Sequence, residues 1–260
     1  MKKHKSTSAP LMCWDIFSQE LQRLNNSNQI TIGGFQKQSL IDYPGNISSV
    51  IFTQGCNFRC IYCHNADLVL PEKTNKLRKF DPEFIYDWIA ENIIMIDAVV
   101  FTGGEPTLHV SLPEYISRFK KLGLKIKLDT NGTNPDMLEQ LIENNLLDYV
   151  AMDIKTPLKL NKYQEIAGKE VTETMFNRIK KSADILCNTR HIDYEFRTTI
   201  FDKYFSFDTI HEIAGSISGK LYLQNYQPPN LTGKQNLRPY PGFDTLENHH
   251  YKSALIELRK

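Results

Sequence analysis

The chain has 260 residues, 41% hydrophobic and 23% charged, the balance of a folded globular protein with length for one large core or two small ones. Its 31 basic against 30 acidic residues, a net charge of +1, give no concentrated basic footprint for nucleic acid. No apolar run approaches the roughly 20 residues of a membrane helix, and polar or small residues 6–9 follow the lysine-rich start, so neither a membrane span nor a secretory signal is expected and the cytoplasm is the expected compartment.

Residues 1–28 read as an N-terminal extension: a polar start, then Trp14, Phe17, Leu21 and Leu24 at helical spacing, then an Asn-Asn-Ser-Asn linker. Cys13 lies at the start of that helical stretch and reads as a thiol without a role. From Ile30 short apolar runs alternate with helical patterns. Strands are predicted over 47–53, 98–101, 126–128, 149–154, 194–201 and 221–226. Between them, Asp81-Pro82 opens a helix lined by Ile85, Trp88 and Ile89, and Tyr115, Ile116 and Phe119 mark the next, which stops at Gly123. Asn134-Pro135 opens a third; further helices are predicted over 173–186 and around Ile210 and Ile213. Six repeats of strand then helix predict a parallel α/β sheet, which right-handed crossovers can curl into an open, partial barrel. The core is expected to span 29–227, followed by a C-terminal tail, 228–260, that reads as irregular apart from a short helix over 253–258.

The densest chemistry follows the first predicted strand. Cys56, Cys60 and Cys63, three of five cysteines, fall within eight residues as C-x3-C-x2-C. A loop that short can fold three thiolates around one soft-metal centre, and an iron–sulfur cube takes four cysteines, one per iron. Three would leave one iron for a non-protein ligand. Competing readings are disulfides, which an odd cysteine count disfavours; zinc with His64, awkward because Cys63 and His64 are adjacent; and buried core cysteines. Cys187, on an apolar helix, reads as a small core residue.

Other motifs sit at the carboxyl ends of the predicted strands, where α/β sheets bind ligands. Gly103 and Gly104 permit close backbone approach, and Glu105 can hold an ammonium group; a tight turn explains them equally well. Asp129, Thr130 and Asn131 suit ribose hydroxyls, or simply make an Asn-Gly turn with Asp as a cap. Asp153 and Lys155 read as a rim ion pair worth less than about 1 kcal/mol. Arg197 faces either a helix layer or a polar cavity, where it would suit a carboxylate. Tyr62 can stack on a base or merely pack.

With these residues in view, the chain resembles the radical S-adenosylmethionine (SAM) superfamily, through Cys56, Cys60, Tyr62 and Cys63 in a C-x3-C-x-aromatic-C motif. Within it the chain is similar to the glycyl-radical-enzyme activases, above all those of anaerobic ribonucleoside-triphosphate reductase. Supporting stretches are 34–45, 101–107, 127–132, 151–155 and 195–199. The resemblance implies an α/β partial (β/α)6 barrel with a [4Fe–4S] cluster on Cys56, Cys60 and Cys63, its fourth iron chelated by SAM. It implies that Gly103, Gly104 and Glu105 meet the methionyl amine, Tyr62 and His64 flank the adenosine, Asp129 and Asn131 lie near the ribose, and Asp153, Lys155 and Arg197 complete the pocket. The implied reaction is reductive cleavage of SAM followed by hydrogen-atom abstraction from a glycine of a glycyl radical enzyme, the anaerobic ribonucleotide reductase, with electrons from a donor such as flavodoxin or ferredoxin. Rival readings are small-molecule radical chemistry of the 7-carboxy-7-deazaguanine synthase kind and a non-catalytic metal-binding module.

Overall fold

The computed structural model describes residues 29–228, 237–246, 249–251 and 254–259. The N-terminal extension, with Cys13 and its expected helix, lies outside the described residues. One sheet organises the rest, in the order β1-β2-β3-β4-β5-β6-β7-β9-β8. Six parallel strands form its centre: β2 (Ser48–Thr53), β3 (Ala98–Gly103), β4 (Lys125–Thr130), β5 (Tyr149–Asp153), β6 (Asp193–Ile200) and β7 (Gly219–Asn225). These are the six expected strands. Helices α1 (Pro82–Glu91), α2 (Leu112–Lys121), α3 (Pro135–Glu143), α4 (Leu160–Ala167), α5 (Glu173–Asn188) and α6 (Phe207–Ala214) connect them.

The helix starts follow from local chemistry. Asp81 and Asn134 each accept a backbone N–H of the first turn, from Glu83 and Met137, with a proline next in the chain. Thr172 and Ser206 cap α5 and α6 through the N–H groups of Met175 and Thr209. Each helix then buries one apolar face. Ile85 and Ile89, Ile116 and Phe119, Leu138 and Leu141, and Ile179 join Ile51, Phe101, Ile126, Leu128, Val150, Met152 and Phe196 in one core on the outer side of the sheet. The opposite, concave side carries only a small apolar cluster, Tyr43, Val50, Ala98 and Val100, with Phe52 and Tyr149 against it.

Two regions depart from expectation, besides α4, for which no helix is predicted. Residues 32–39 form β1 (Ile32–Ser39), antiparallel to β2; its glycines and polar centre carry no strand alternation. The tail is the larger correction. In place of a short helix over 253–258 there is β9 (Ala254–Arg259), parallel to β7, and β8 (His249–Tyr251) pairs antiparallel to it. Ala254 and Ile256 are buried while Leu255 and Glu257 are not, the period of two that a strand requires. Without β9 the N–H and C=O groups along one side of β7 would be unpaired, and tertiary pairing overrides a weak helical pattern of six residues.

Candidate active site

The cysteine loop is fixed by backbone bonds rather than by its own secondary structure. After β2, Gly55 turns at φ +87°, and its N–H donates to Leu68 O. The N–H groups of Arg59 and Ile61 donate to Ala167 and Ile166 at the end of α4, at 2.7 and 3.0 Å. Phe58 is fully buried, and the Arg59 guanidinium donates to the carbonyls of Cys56 and Phe58 at 2.8 and 2.7 Å. Cys56, Cys60 and Cys63 consequently line one cavity of about 380 Å³ at the carboxyl ends of the strands. Burial pushes the Cys56 thiol up to about 12 and the Cys60 thiol to about 11, and raises Cys63 as well.

Gly103 and Gly104 bring the end of β3 onto that loop. Gly103 has φ +106°, and a Cβ on Gly104 would stand 1.9 Å from the Gly55 carbonyl oxygen. Gly104 N–H donates to Thr53 O and Glu105 N–H to Gly55 O. The glycines are required by this backbone contact, which leaves Glu105 beside the cysteines. Glu105 is fully buried and holds the next loop: Oε1 accepts from Thr107 N, Thr107 Oγ1 and Thr130 Oγ1, and Oε2 accepts from Asn131 N at 2.7 Å. Burial raises its carboxyl, and those four donors oppose the rise.

Opposite stands a chain of charges on β4, β5 and β6. Lys127 pairs with Asp129; Asp129 accepts from Arg197 Nη1 at 3.1 Å; Arg197 Nε donates to Asp153 at 3.0 Å; and Asp153 accepts from Lys155 at 2.9 Å. Burial opposes ionisation of Asp129, yet Arg197 and Lys127 hold it down at about 2; Arg197 and Lys155 likewise lower Asp153 against its burial. Three cations meet two carboxylates, so the chain carries one net positive charge. The Asp153–Lys155 pair is thus no rim pair: the Lys155 side chain is 12% exposed. Arg197 takes the cavity side of the two faces open to it.

Tyr62 is buried, its ring tilted on Phe201 at 5.4 Å with Lys155 Nζ 5.6 Å from its centroid, and its hydroxyl has no hydrogen-bond partner among the described residues. His64 is exposed; its Nε2 donates to Gln227 O and its ring stacks on Tyr226. Every residue expected at the site from the sequence lines this one cavity. So do Asp42, Asn65, Thr199 and Gln224, which sequence reasoning passed over; each is a lone polar residue in a loop or strand with no spacing to mark it. Lys127 had a signal, its Lys-x-Asp spacing with Asp129 on one strand face. Cys187 lies on α5 with its sulfur 3.7 Å from Ser218 O and lines none of the cavity.

Residues 50–192 match the family model of the radical SAM superfamily. A protein of Methanocaldococcus jannaschii, provisionally named a glycyl-radical enzyme activating enzyme, is 39% identical over 201 residues, covering 76% of this chain and 80% of the relative. The chain belongs to the radical SAM superfamily. The pyruvate formate-lyase-activating enzyme of Clostridium pasteurianum is 33% identical over 137 residues, covering 48% of this chain and 52% of that one. Among solved structures, SuiB of Streptococcus suis bound to S-adenosylmethionine has a TM-score of 0.56 at 18% identity, over 75% of this chain and 44% of that one, a likeness of fold.

Radical SAM enzymes use a [4Fe–4S] cluster and SAM, and this chain is an enzyme of that class. Its residues fit the pair. Three soft sulfur donors share one cavity wall, and Cys187, the other described cysteine, is not on it. A buried hydroxyl without a partner among the described residues, that of Tyr62, lies on the same wall. The net positive chain of Lys127, Asp129, Arg197, Asp153 and Lys155 suits a ligand bearing a carboxylate. Among the described residues no helix is long and apolar enough to cross a membrane.

Proposed function

We propose that this chain is an activase that installs a glycyl radical on a partner enzyme, an anaerobic ribonucleoside-triphosphate reductase. The observation that carries the reading is the convergence on one cavity of three cysteines and the charged ends of β4, β5 and β6. The 39% relative, covered over most of its length, supports the activase class. The stretches 34–45, 101–107, 127–132, 151–155 and 195–199, taken together, support the reductase as partner.

In this reading Cys56, Cys60 and Cys63 hold three irons and leave the fourth for SAM. When bound, the cluster and SAM supply a one-electron reductive cleavage and, from it, abstraction of a hydrogen atom. The protein residues position and shield. Burial keeps the three thiols protonated in the metal-free chain, so loading iron releases protons and is favoured by raised pH. Glu105, braced by Thr107, Thr130 and Asn131 N–H, would offer its remaining acceptor capacity to the methionyl amine beside Gly103 and Gly104. Asp129 would lie near the ribose; Arg197 and Lys155, tied to Asp153, would suit the carboxylate end; Tyr62 and His64 would flank the adenosine. Tyr62 and Phe201 close the apolar side against water. No acid–base residue is required, and the electron donor is a flavodoxin or ferredoxin of the same cytoplasm.

The test is anaerobic reconstitution with iron and sulfide, reduction, and mixing with the reductase and SAM, followed by electron paramagnetic resonance. A glycyl doublet on the reductase is expected. SAM cleavage without that doublet would remove the partner, and no cleavage at all would remove the activase.

A further inference from the structure

We propose that the side-chain amide of Asn131 is a hydrogen-bond donor to the Cys56 sulfur and thereby sets how easily the bound cluster is reduced. The inference rests on the reading of Cys56 as a cluster ligand. Asn131 is 5% exposed, and its backbone N–H is tied to Glu105 Oε2 at 2.7 Å, so its side chain is held in place. An asparagine amide has two N–H donors and two acceptor lone pairs. Here all are engaged. Oδ1 accepts from Thr133 N at 3.0 Å and Thr133 Oγ1 at 2.7 Å; Nδ2 donates to Asn57 Oδ1 at 2.9 Å and to Cys56 Sγ at 3.8 Å.

The polarity of that amide follows from the backbone. Thr133 N–H can only donate, so Oδ1 must face it, which leaves Nδ2 toward Cys56. The same sulfur accepts Phe58 N–H at 3.4 Å. Thr133 is fixed in turn by Asn57 Nδ2 on its hydroxyl and by Arg178 Nε on its carbonyl, both at 2.8 Å. With its capacity used, Asn131 has nothing left for a ribose hydroxyl, the role the family resemblance gives it. An N–H pointed at a thiolate withdraws electron density and favours the more negative, reduced cluster; hydrogen bonds to cluster sulfurs are among the determinants of potential. Asn131 is therefore a positioning residue acting through Cys56.

Cluster-loaded full-length protein separates these roles by potentiometric titration of the reduced-cluster resonance. Asn131→Ala is expected to lower the reduced-to-oxidised ratio at a fixed potential about tenfold, equivalent to about 59 mV for a one-electron couple. Asn131→Asp keeps both Thr133 bonds, replaces the donor with a negative charge, and should shift further the same way. Affinity for SAM in loaded Asn131→Ala should stay within about twofold of wild type. An unshifted potential in both Asn131 variants, or a large loss of SAM affinity with wild-type potential, would each overturn the inference alone. A wild-type chain that takes up no iron would overturn the cluster assignment and the inference with it.

Discussion

The two faces of the same strands obey different rules. On the outer face of β4, β5 and β6, Leu128, Met152 and Phe196 are fully buried under helices. One residue away, on the concave face, stand Asp129, Asp153 and Arg197, linked into a chain of ion pairs. Parallel strands are usually apolar on both sides, so a charged face inside a curled sheet costs folding free energy that packing on the other face must offset. The outer face carries the apolar packing, and the inner face carries the charges that line the cavity.

Substitutions on the two faces should fail differently. The largest effect is expected in the loop that serves the inner face: Cys60→Ala should lose essentially all bound iron after anaerobic reconstitution, measured by iron and sulfide content, with the apo-protein still folded. On the outer face Phe196→Ala should cost about 3–5 kcal/mol in denaturant unfolding of the apo-protein, the usual penalty for emptying a core aromatic site. Arg197→Met on the inner face should cost about 3 kcal/mol, because Asp129 and Asp153 each lose a partner in a site that is 12–28% exposed. Should Arg197→Met prove neutral or stabilising, Asp129 and Asp153 would not depend on Arg197 as their partner.

Acid should sharpen the contrast. Asp129, held at about 2, and Asp153, also lowered, are depressed from the ordinary carboxylate value of about 3.9. The unfolded chain therefore binds protons first as pH falls. Their contribution is complete above pH ~4 and is lost as pH falls from about 4 toward 2. Melting temperature should drop across that window, and the drop should be shallower in Asp129→Asn. The smallest effect is expected for Cys187→Ala: a half-buried thiol outside the cavity, its loss should leave iron content unchanged and cost about 1 kcal/mol or less.

Much of the site was legible because its parts are short-range. The cysteine spacing, the Gly103-Gly104-Glu105 turn and the Asp153-x-Lys155 pair each lie within a few residues. The strand–helix rhythm then put them at the same end of the sheet. Less legible was what each polar group touches. Glu105 accepts from residues 25 and 26 positions away, and Arg259 grips the buried Glu195 from 64 positions away through two bonds of 2.6 and 2.7 Å. No spacing rule connects such residues.

By itself the sequence determined the six strand–helix units and the trio of thiols, because periodicity, caps and a short loop act over a turn or a strand. Only the tertiary structure decided that residues 254–259 are a strand on β7, that Lys127 and Arg197 face inward with Asp129 between them, and that Asn131 turns its amide to Cys56. Those outcomes depend on which buried polar group or strand edge lies opposite, and a buried donor or acceptor must find a partner wherever the fold provides one.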